Sequence, residues 1–325
     1  MKLKKIKRMV VAGTAILMTL SLAGCGIGSY SVKLGAAGVG GGYYAFSNAF
    51  AQIASSEDED LDFEVKATAG STANIRLLSD GYVDMAIAQA DLVDAAYNGT
   101  GATDKKRYRG YSAVASLYTE ACQIVVRADS GIDSLDDLQG KKISVGEEES
   151  GTQRNAEQIL KMTGLVESLV DTVNLDYVDA ANELKSGQID AFFCTAGIQT
   201  SVIEELSKEC DVKLIGIDDK CRDRLKSVYG FYTDYTIPAG TYEGQTQDVV
   251  TLGVRAVLLA RDDMDEKIVE ELTGLLFEHA QDIQYSIALT FQIDESEAVK
   301  NVTIPFHDGA KAYYQKKEIE IPAEQ

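Results

Sequence analysis

Backbone amides, more than reactive side chains, are what this sequence sets out for chemistry. Gly38-Val39-Gly40-Gly41-Gly42 stands between a short apolar run and an amphipathic one, Ala69-Gly70-Ser71-Thr72 opens a second amphipathic run, and Glu148-Glu149-Ser150-Gly151-Thr152 opens a third. Small residues at a strand-to-helix junction expose N–H groups at the positive end of a helix dipole, which hold a carboxylate or phosphate without a cationic side chain. Ser71 or Thr72 would cap its helix or donate to a ligand. Gln89 follows the apolar run Met85-Ala86-Ile87-Ala88, where open parallel sheets place ligand contacts, although a turn residue would stand there too. The acids Glu147, Glu148 and Glu149 oppose an anion unless their side chains turn to solvent. Tyr43, Tyr44, Tyr118, Tyr232 and Tyr235 would line a cleft or pack between lobes.

Other chemistries lack their residues. Gly38 to Gly42 is followed neither by the Lys-Ser/Thr of a phosphate-binding P-loop nor by a dinucleotide spacing, so no nucleotide cofactor is expected. The only histidines, His279 and His307, are far from any nucleophile in sequence, and no Cys or His spacing suggests a metal. These gaps argue against an enzyme. A net charge of −20 repels nucleic acid and anionic lipid headgroups.

The N-terminus reads as a targeting segment. Lys2, Lys4, Lys5, Lys7 and Arg8 precede a nearly unbroken apolar run from Met9 to Leu20, and Leu22-Ala23-Gly24-Cys25 follows. The run is shorter than the ~20 residues that span a bilayer, and small residues before a cysteine resemble a lipobox. Residues 1–24 are therefore expected to be a lipoprotein signal peptide, Cys25 the lipidated residue and 25–30 a tether, anchoring the chain outside the cell membrane. Losing the leader takes the net charge from −20 to −25. Of the remaining cysteines, Cys122 and Cys194 lie in apolar runs and read as small core residues. Cys210 and Cys221 flank a strand, Val212 to Ile217, whose ends lie about 20 Å apart, too far for a disulfide.

About 300 residues remain, enough for two α/β units. Strands are expected at Val32–Ala36, Phe63–Ala67 and Met85–Ala88, with helices at Tyr43–Ala54 and Ser71–Ser79 between them. The middle of the chain repeats the plan. Strands are expected at Lys142–Gly146, Leu175–Val178 and Ala191–Phe193, and helices at Thr152–Met162 and Ala180–Lys185. Leu78-Ser79-Asp80-Gly81-Tyr82-Val83-Asp84 is matched in style by Leu184-Lys185-Ser186-Gly187-Gln188-Ile189-Asp190, each a helix stop leading into a buried strand. Two long apolar strands, Cys122–Arg127 and Val249–Ala260, flank the second unit and would cross between lobes as a hinge. A helix at Glu266–Ile283 and an irregular return at Val228–Gly244 complete the pattern. The expected lobes are 31–120 plus 255–325, and 121–254.

Gly40-Gly41-Gly42-Tyr43-Tyr44, Ala69-Gly70-Ser71-Thr72-Ala73-Asn74, Ala88-Gln89-Ala90-Asp91, Ile124-Val125-Val126-Arg127-Ala128-Asp129 and Ile304-Pro305-Phe306-His307-Asp308-Gly309 occur in this order. Together they resemble the TAXI-type solute receptors of TRAP transporters over nearly the whole mature chain. The resemblance implies a two-lobed periplasmic-binding-protein-like fold of type II style that closes over one solute. It also implies delivery to the membrane subunits of an ion-gradient-driven permease, with glutamate, 2-oxoglutarate or a related carboxylate or amino acid as cargo. The implied ligand contacts are Gly42, Tyr43, Tyr44, Ser71, Asn74, Gln89, Gly151, Thr152, Ala196 and Gly197. The chain departs from the family at Glu147-Glu148-Glu149, Ala45 and Ala90. The acidic loop tells against a doubly anionic ligand and leaves room for an amino acid. A receptor for an ATP-driven importer and a surface ligand sensor are the alternatives with the same fold.

Overall fold

The computed structural model describes residues 30–101, 105–166, 168–287 and 292–322; the leader and Cys25 lie outside the described residues. The first elements are β1 (Tyr30–Gly35), α1 (Gly42–Glu57), β2 (Leu61–Lys66), α2 (Ser71–Ser79), β3 (Met85–Gln89), α3 (Ala90–Asn98) and β4 (Tyr111–Arg127). Next come β5 (Lys142–Ser144), α4 (Gly151–Thr163), β6 (Asp171–Val173), α5 (Tyr177–Ser186), β7 (Ala191–Ala196), α6 (Ser201–Glu209), β8 (Val212–Leu214) and α7 (Asp219–Val228). The chain then forms β9 (Thr233–Ile237), β10 (Val249–Arg261), α8 (Glu266–Glu278), α9 (Ala280–Ile287) and α10 (Asp308–Lys316).

The strands run β2-β1-β3-β10-β4-β7-β5-β6 across one continuous sheet. Within it β1, β2 and β3 are parallel, as are β5, β6 and β7, while β10 and β4 are antiparallel to their neighbours and to each other. Two copies of one arrangement thus meet along β10 and β4. The copies share local detail: the Lys33 amide donates to the Asp84 carboxylate at 2.8 Å, and the Lys142 amide to that of Asp190 at 2.9 Å.

With 17 residues, β4 is about 55 Å long, enough to run through both lobes. Tyr111 to Ala121 pairs with β10, and Ala121 to Val126 pairs with β7. One core gathers β1, β3, the first part of β4, the last part of β10 and the helices α1, α8 and α10 around Phe46, Phe50, Met85, Leu272 and Tyr314. In the other lobe the period of two splits the apolar residues between two faces. Ile124, Ile143 and Phe193 pack on α4, while Val125, Phe192 and Cys194 pack on α5 and α6. Each such buried side chain stabilises the fold by about 1.5–3 kcal/mol before the cost of ordering it. The architecture is the expected two-lobed periplasmic-binding-protein-like α/β fold.

Several boundaries differ from expectation for identifiable reasons. Leu175–Val178 is not a strand: the parallel strand is β6, and α5 begins at Tyr177 because the Asp176 carboxylate accepts the Asp179 amide at 2.8 Å. Val228–Gly244 is not wholly irregular, since β9 within it pairs antiparallel with β10. The helix expected over Glu266–Ile283 divides at His279 into α8 and α9. Cys122, Cys194, Cys210 and Cys221 are free thiols, with Cys122 and Cys194 buried in the sheet. Among the described residues no helix is long and apolar enough to cross a membrane.

Candidate functional site

Four helices begin at one point between the lobes. Gly42 of α1 and Ser71 of α2 reach it from one side, Gly151 of α4 and Tyr177 of α5 from the other, and together they line a cavity of about 30 Å³. That volume holds a water or two with the lobes in this arrangement. Helix starts concentrate partial positive charge here. The β-α junctions lie at the carboxyl ends of parallel strands, so the sheet topology brings them together.

The lobes touch directly. The Glu149 carbonyl accepts the Thr72 and Ala73 amides of α2 at 3.1 and 3.2 Å, and the Glu149 carboxylate pairs with Arg76, its shorter contact 2.6 Å. Glu149 holds a left-handed backbone (φ 64°), a conformation that costs a non-glycine residue and is retained here by these contacts. Ser201 donates to the Gly40 carbonyl at 3.1 Å. Gly151 must lack a side chain, since a Cβ there would stand 2.5 Å from the Gln89 amide carbon.

Gln89 is 2% exposed and bridges the lobes. Its backbone N–H donates to Ser71 Oγ at 3.1 Å, and its Nε2 donates to Asn155 Oδ1 at 3.0 Å. Asn155 Nδ2 in turn reaches the Tyr232 hydroxyl at 2.7 Å, and Tyr232 donates to Gln158. This relay orients the Gln89 amide, leaving its Oε1 buried with no hydrogen-bond partner. Beside it on β4 is Glu120, 2% exposed, whose Oε2 accepts the Tyr43 hydroxyl at 2.6 Å. Burial pushes the Glu120 carboxyl up to about 8, while the Tyr43 and Gln89 hydrogen bonds pull it back and Asp91 adds to the rise. Burial, with the Asp176 charge, also raises Glu147. Tyr177 and Thr152 close a small ring: their hydroxyls lie 2.6 Å apart, Tyr177 donates to the Thr195 carbonyl at 3.0 Å, and the Thr195 amide donates to Thr152 at 3.1 Å.

Six of the residues singled out in the sequence, Gly42, Tyr43, Ser71, Gln89, Gly151 and Thr152, line this cavity. The other four do not. Asn74 lies behind the wall, donating to the Ala36 carbonyl and, at 2.8 Å, to that of Ile87, which ties together the ends of β1 and β3. Tyr44 follows Tyr43 on α1 and is half-buried outside the lining. Ala196 is spent in the ladder opposite Ala121, and the Gly197 carbonyl accepts the Thr200 hydroxyl. The acidic loop divides: Glu147 borders the cavity, Glu148 is exposed and Glu149 is held by Arg76. Glu120, Asp176, Tyr177 and Thr195 complete the lining and were not anticipated. A single acid inside the apolar stretch from Ala113 to Val126 was the available signal for Glu120. Among the described lining residues three are acids, Glu120, Glu147 and Asp176, and none is Lys, Arg or His. Nor do the described residues hold a cluster of three potential metal ligands.

Solved structures share the architecture. MatC from Rhodopseudomonas palustris with bound malate aligns with a TM-score of 0.57 at 14% identity, covering 82% of this chain and 91% of that one. PhnD1 from Prochlorococcus marinus in complex with methylphosphonate aligns at 0.55 and 13% identity, covering 89% and 99%. A protein from Bordetella bronchiseptica aligns at 0.52 and 18% identity, covering 90% and 83%. At such identities the likeness speaks for the fold. Over residues 34–318 the sequence itself matches a described family, and the chain belongs to the NMT1-like family.

Proposed function

We propose that this protein is an extracytoplasmic solute-binding receptor, tethered through lipid on Cys25, that captures one small carboxylate or amino acid between its lobes. It hands the solute to the membrane subunits of a TRAP transporter of the TAXI type. The observation that carries this reading is a cavity lined from both lobes, bordered by four helix starts and crossed by the Gln89–Asn155 hydrogen bond. The lobes comprise 31–120 with 255–325, and 121–254, with β4 and β10 as the hinge. The TRAP assignment rests on the ordered sequence motifs from Gly40-Gly41-Gly42-Tyr43-Tyr44 to Ile304-Pro305-Phe306. A ligand held by both lobes favours the closed arrangement by mass action.

Calorimetry on the soluble form from Gly26 onward, against amino acids, carboxylates and sugars, tests the receptor reading. Binding should be accompanied by compaction in solution scattering and by recovery of unchanged ligand, and Gln89→Ala should weaken it. Chemical conversion of the ligand would instead indicate an enzyme. Reconstitution with the membrane subunits should give uptake driven by an ion gradient without ATP; an ATP requirement would reject the TRAP assignment and keep the receptor.

A further inference from the structure

The polar groups around the cavity are unequally provided for. A buried amide carbonyl wants a donor and a buried carboxylate wants several, whereas α4 and α5 of the second lobe each have one first-turn amide taken by their own cap residue. Gln89 lines the cavity, is 2% exposed, and has an Oε1 without a partner. Its orientation is not arbitrary, because the relay through Asn155, Tyr232 and Gln158 takes up the Nε2 end. Next to it, Glu120 receives the Tyr43 hydroxyl on Oε2 and a hydrogen bond from the Gln89 side chain, and a carboxylate has room for more donors than these two. Glu147 and Asp176 add two further acids to the wall, with no basic residue among the described lining residues to offset them.

Resting on the receptor reading, we propose that the solute carries an ammonium group, and that Glu120 together with Gln89 Oε1 is the subsite that holds it. An ammonium brings three N–H donors and a positive charge, matching one unpaired carbonyl and the lone pairs of Glu120 that Tyr43 and Gln89 leave free. A carboxylate on the same molecule would face the start of α1, where the cap residue Gly41 offers no side chain to the first-turn amides. The donor side and the acceptor side of the cavity therefore describe an amino acid. A dicarboxylate without an amine would leave Gln89 Oε1 unmatched and bring a second negative charge among three acids. Burial of Glu120 favours its neutral form, and a cation beside it offsets that preference.

The test uses matched pairs on the soluble protein: glutamate with glutarate, leucine with 4-methylpentanoate, lysine with hexanoate, each titrated by calorimetry. The amine-bearing member of the bound pair should be at least about tenfold tighter, the loss expected when a hydrogen bond to a charged group is removed. Glu120→Gln, which keeps the shape and an acceptor for Tyr43, should narrow that ratio by about the same factor, while circular dichroism verifies the fold. Equal affinity within a pair, or tighter binding of the deaminated acid, overturns the ammonium subsite and leaves the receptor reading intact. A ratio that Glu120→Gln does not change overturns the assignment to Glu120. If no compound in the wider panel of amino acids, carboxylates and sugars binds, the receptor reading falls, and this inference with it. The matched pairs decide on the unmodified protein, whatever the variant does to folding.

Discussion

The two lobes are built to one plan and differ where they face each other. Both stack three parallel strands against an antiparallel crossing strand, and both hold the first strand's lysine amide with an aspartate from the third. Even the punctuation repeats: the Arg261 guanidinium lies over Gly81 and that of Arg127 over Gly187, each arginine anchored by an aspartate two residues on. The helix starts break the likeness. In the first lobe α1 and α2 begin behind Gly41 and Gly70, which offer no cap. In the second lobe Ser150 accepts the Gln153 amide and Asp176 that of Asp179. One lobe therefore caps neither helix with a side chain of its own, and the Thr72 and Ala73 amides of α2 are met by Glu149 from across the cleft. The other caps one amide of each helix itself and sets acids beside them. A symmetrical frame becomes a polar site through the choice of four cap residues.

The largest effect that tests this polarity lies on β4. Glu120 is raised from 4.5 to about 8 by burial, so the folded chain binds its proton more tightly than the unfolded chain. Stability should consequently fall as pH rises between about 4.5 and 8, by on the order of 5 kcal/mol in total. Asp91, raised to about 6, adds a fall of the same sign at lower pH, and His307, lowered from 6.5 by burial, adds a rise that ends near 6.5, so the interval from about 7 to 8 isolates Glu120. Thermal unfolding across that interval should show the slope in the parent protein and lose it in Glu120→Gln. A slope that survives the substitution would mean that Glu120 is not the buried acid responsible.

Closure comes next. Gly151→Ala places a Cβ 2.5 Å from the Gln89 side chain and should hold the lobes apart. Overpacking of this kind costs about 1–3 kcal/mol, so ligand affinity should fall roughly tenfold to a hundredfold, with a larger radius in solution scattering. Unchanged affinity would show that the solute is held without this close approach.

Two smaller tests separate the rims. Ser150→Ala removes a self-cap of the second lobe and should cost about 1 kcal/mol of stability in denaturant unfolding. A negligible cost would mean that α4 does not depend on its own cap, and the contrast between the lobes would weaken. Arg76→Ala breaks the bond to Glu149 across the cleft, but both side chains are more than a third exposed, 38% and 39%. Solvent screening limits the effect to about 0.5 kcal/mol, seen as a slightly more open average form. A tenfold change in affinity would instead make this ion pair a principal latch.

Much of the scaffold was legible before folding. The helix at Ser71–Ser79 is where it was expected, because Gly70 and the apolar spacing at Ala73, Ile75 and Leu78 are local signals. The crossing strands were visible as long apolar runs, though β4 starts at Tyr111, well before Cys122, since buried faces on both sides erase the alternation that marks a boundary. Leu175–Val178 failed for the opposite reason: its apolar residues suit a strand, yet the Asp176 cap starts a helix among them. In the site, the glycine loops, Ser71 and Gln89 were recognisable from their position after strands. That Asn74 ties the ends of β1 and β3 was not legible, because a buried asparagine that joins two strands has the same neighbours in sequence as one that lines a cavity.

By itself the sequence determined the α/β alternation, the repeated lobe and the glycine-rich helix starts, all of which follow from hydrogen bonding and burial among near neighbours. Only the tertiary structure decided which polar groups meet in the cleft. Tyr43 and Glu120 are 77 residues apart, Gln89 and Asn155 66, and Arg76 and Glu149 73. No local pattern specifies such pairs. They exist because β4 and β10 bring the two lobes into contact, and there Glu148 faces solvent, Glu149 meets Arg76 and Glu147 borders the cavity.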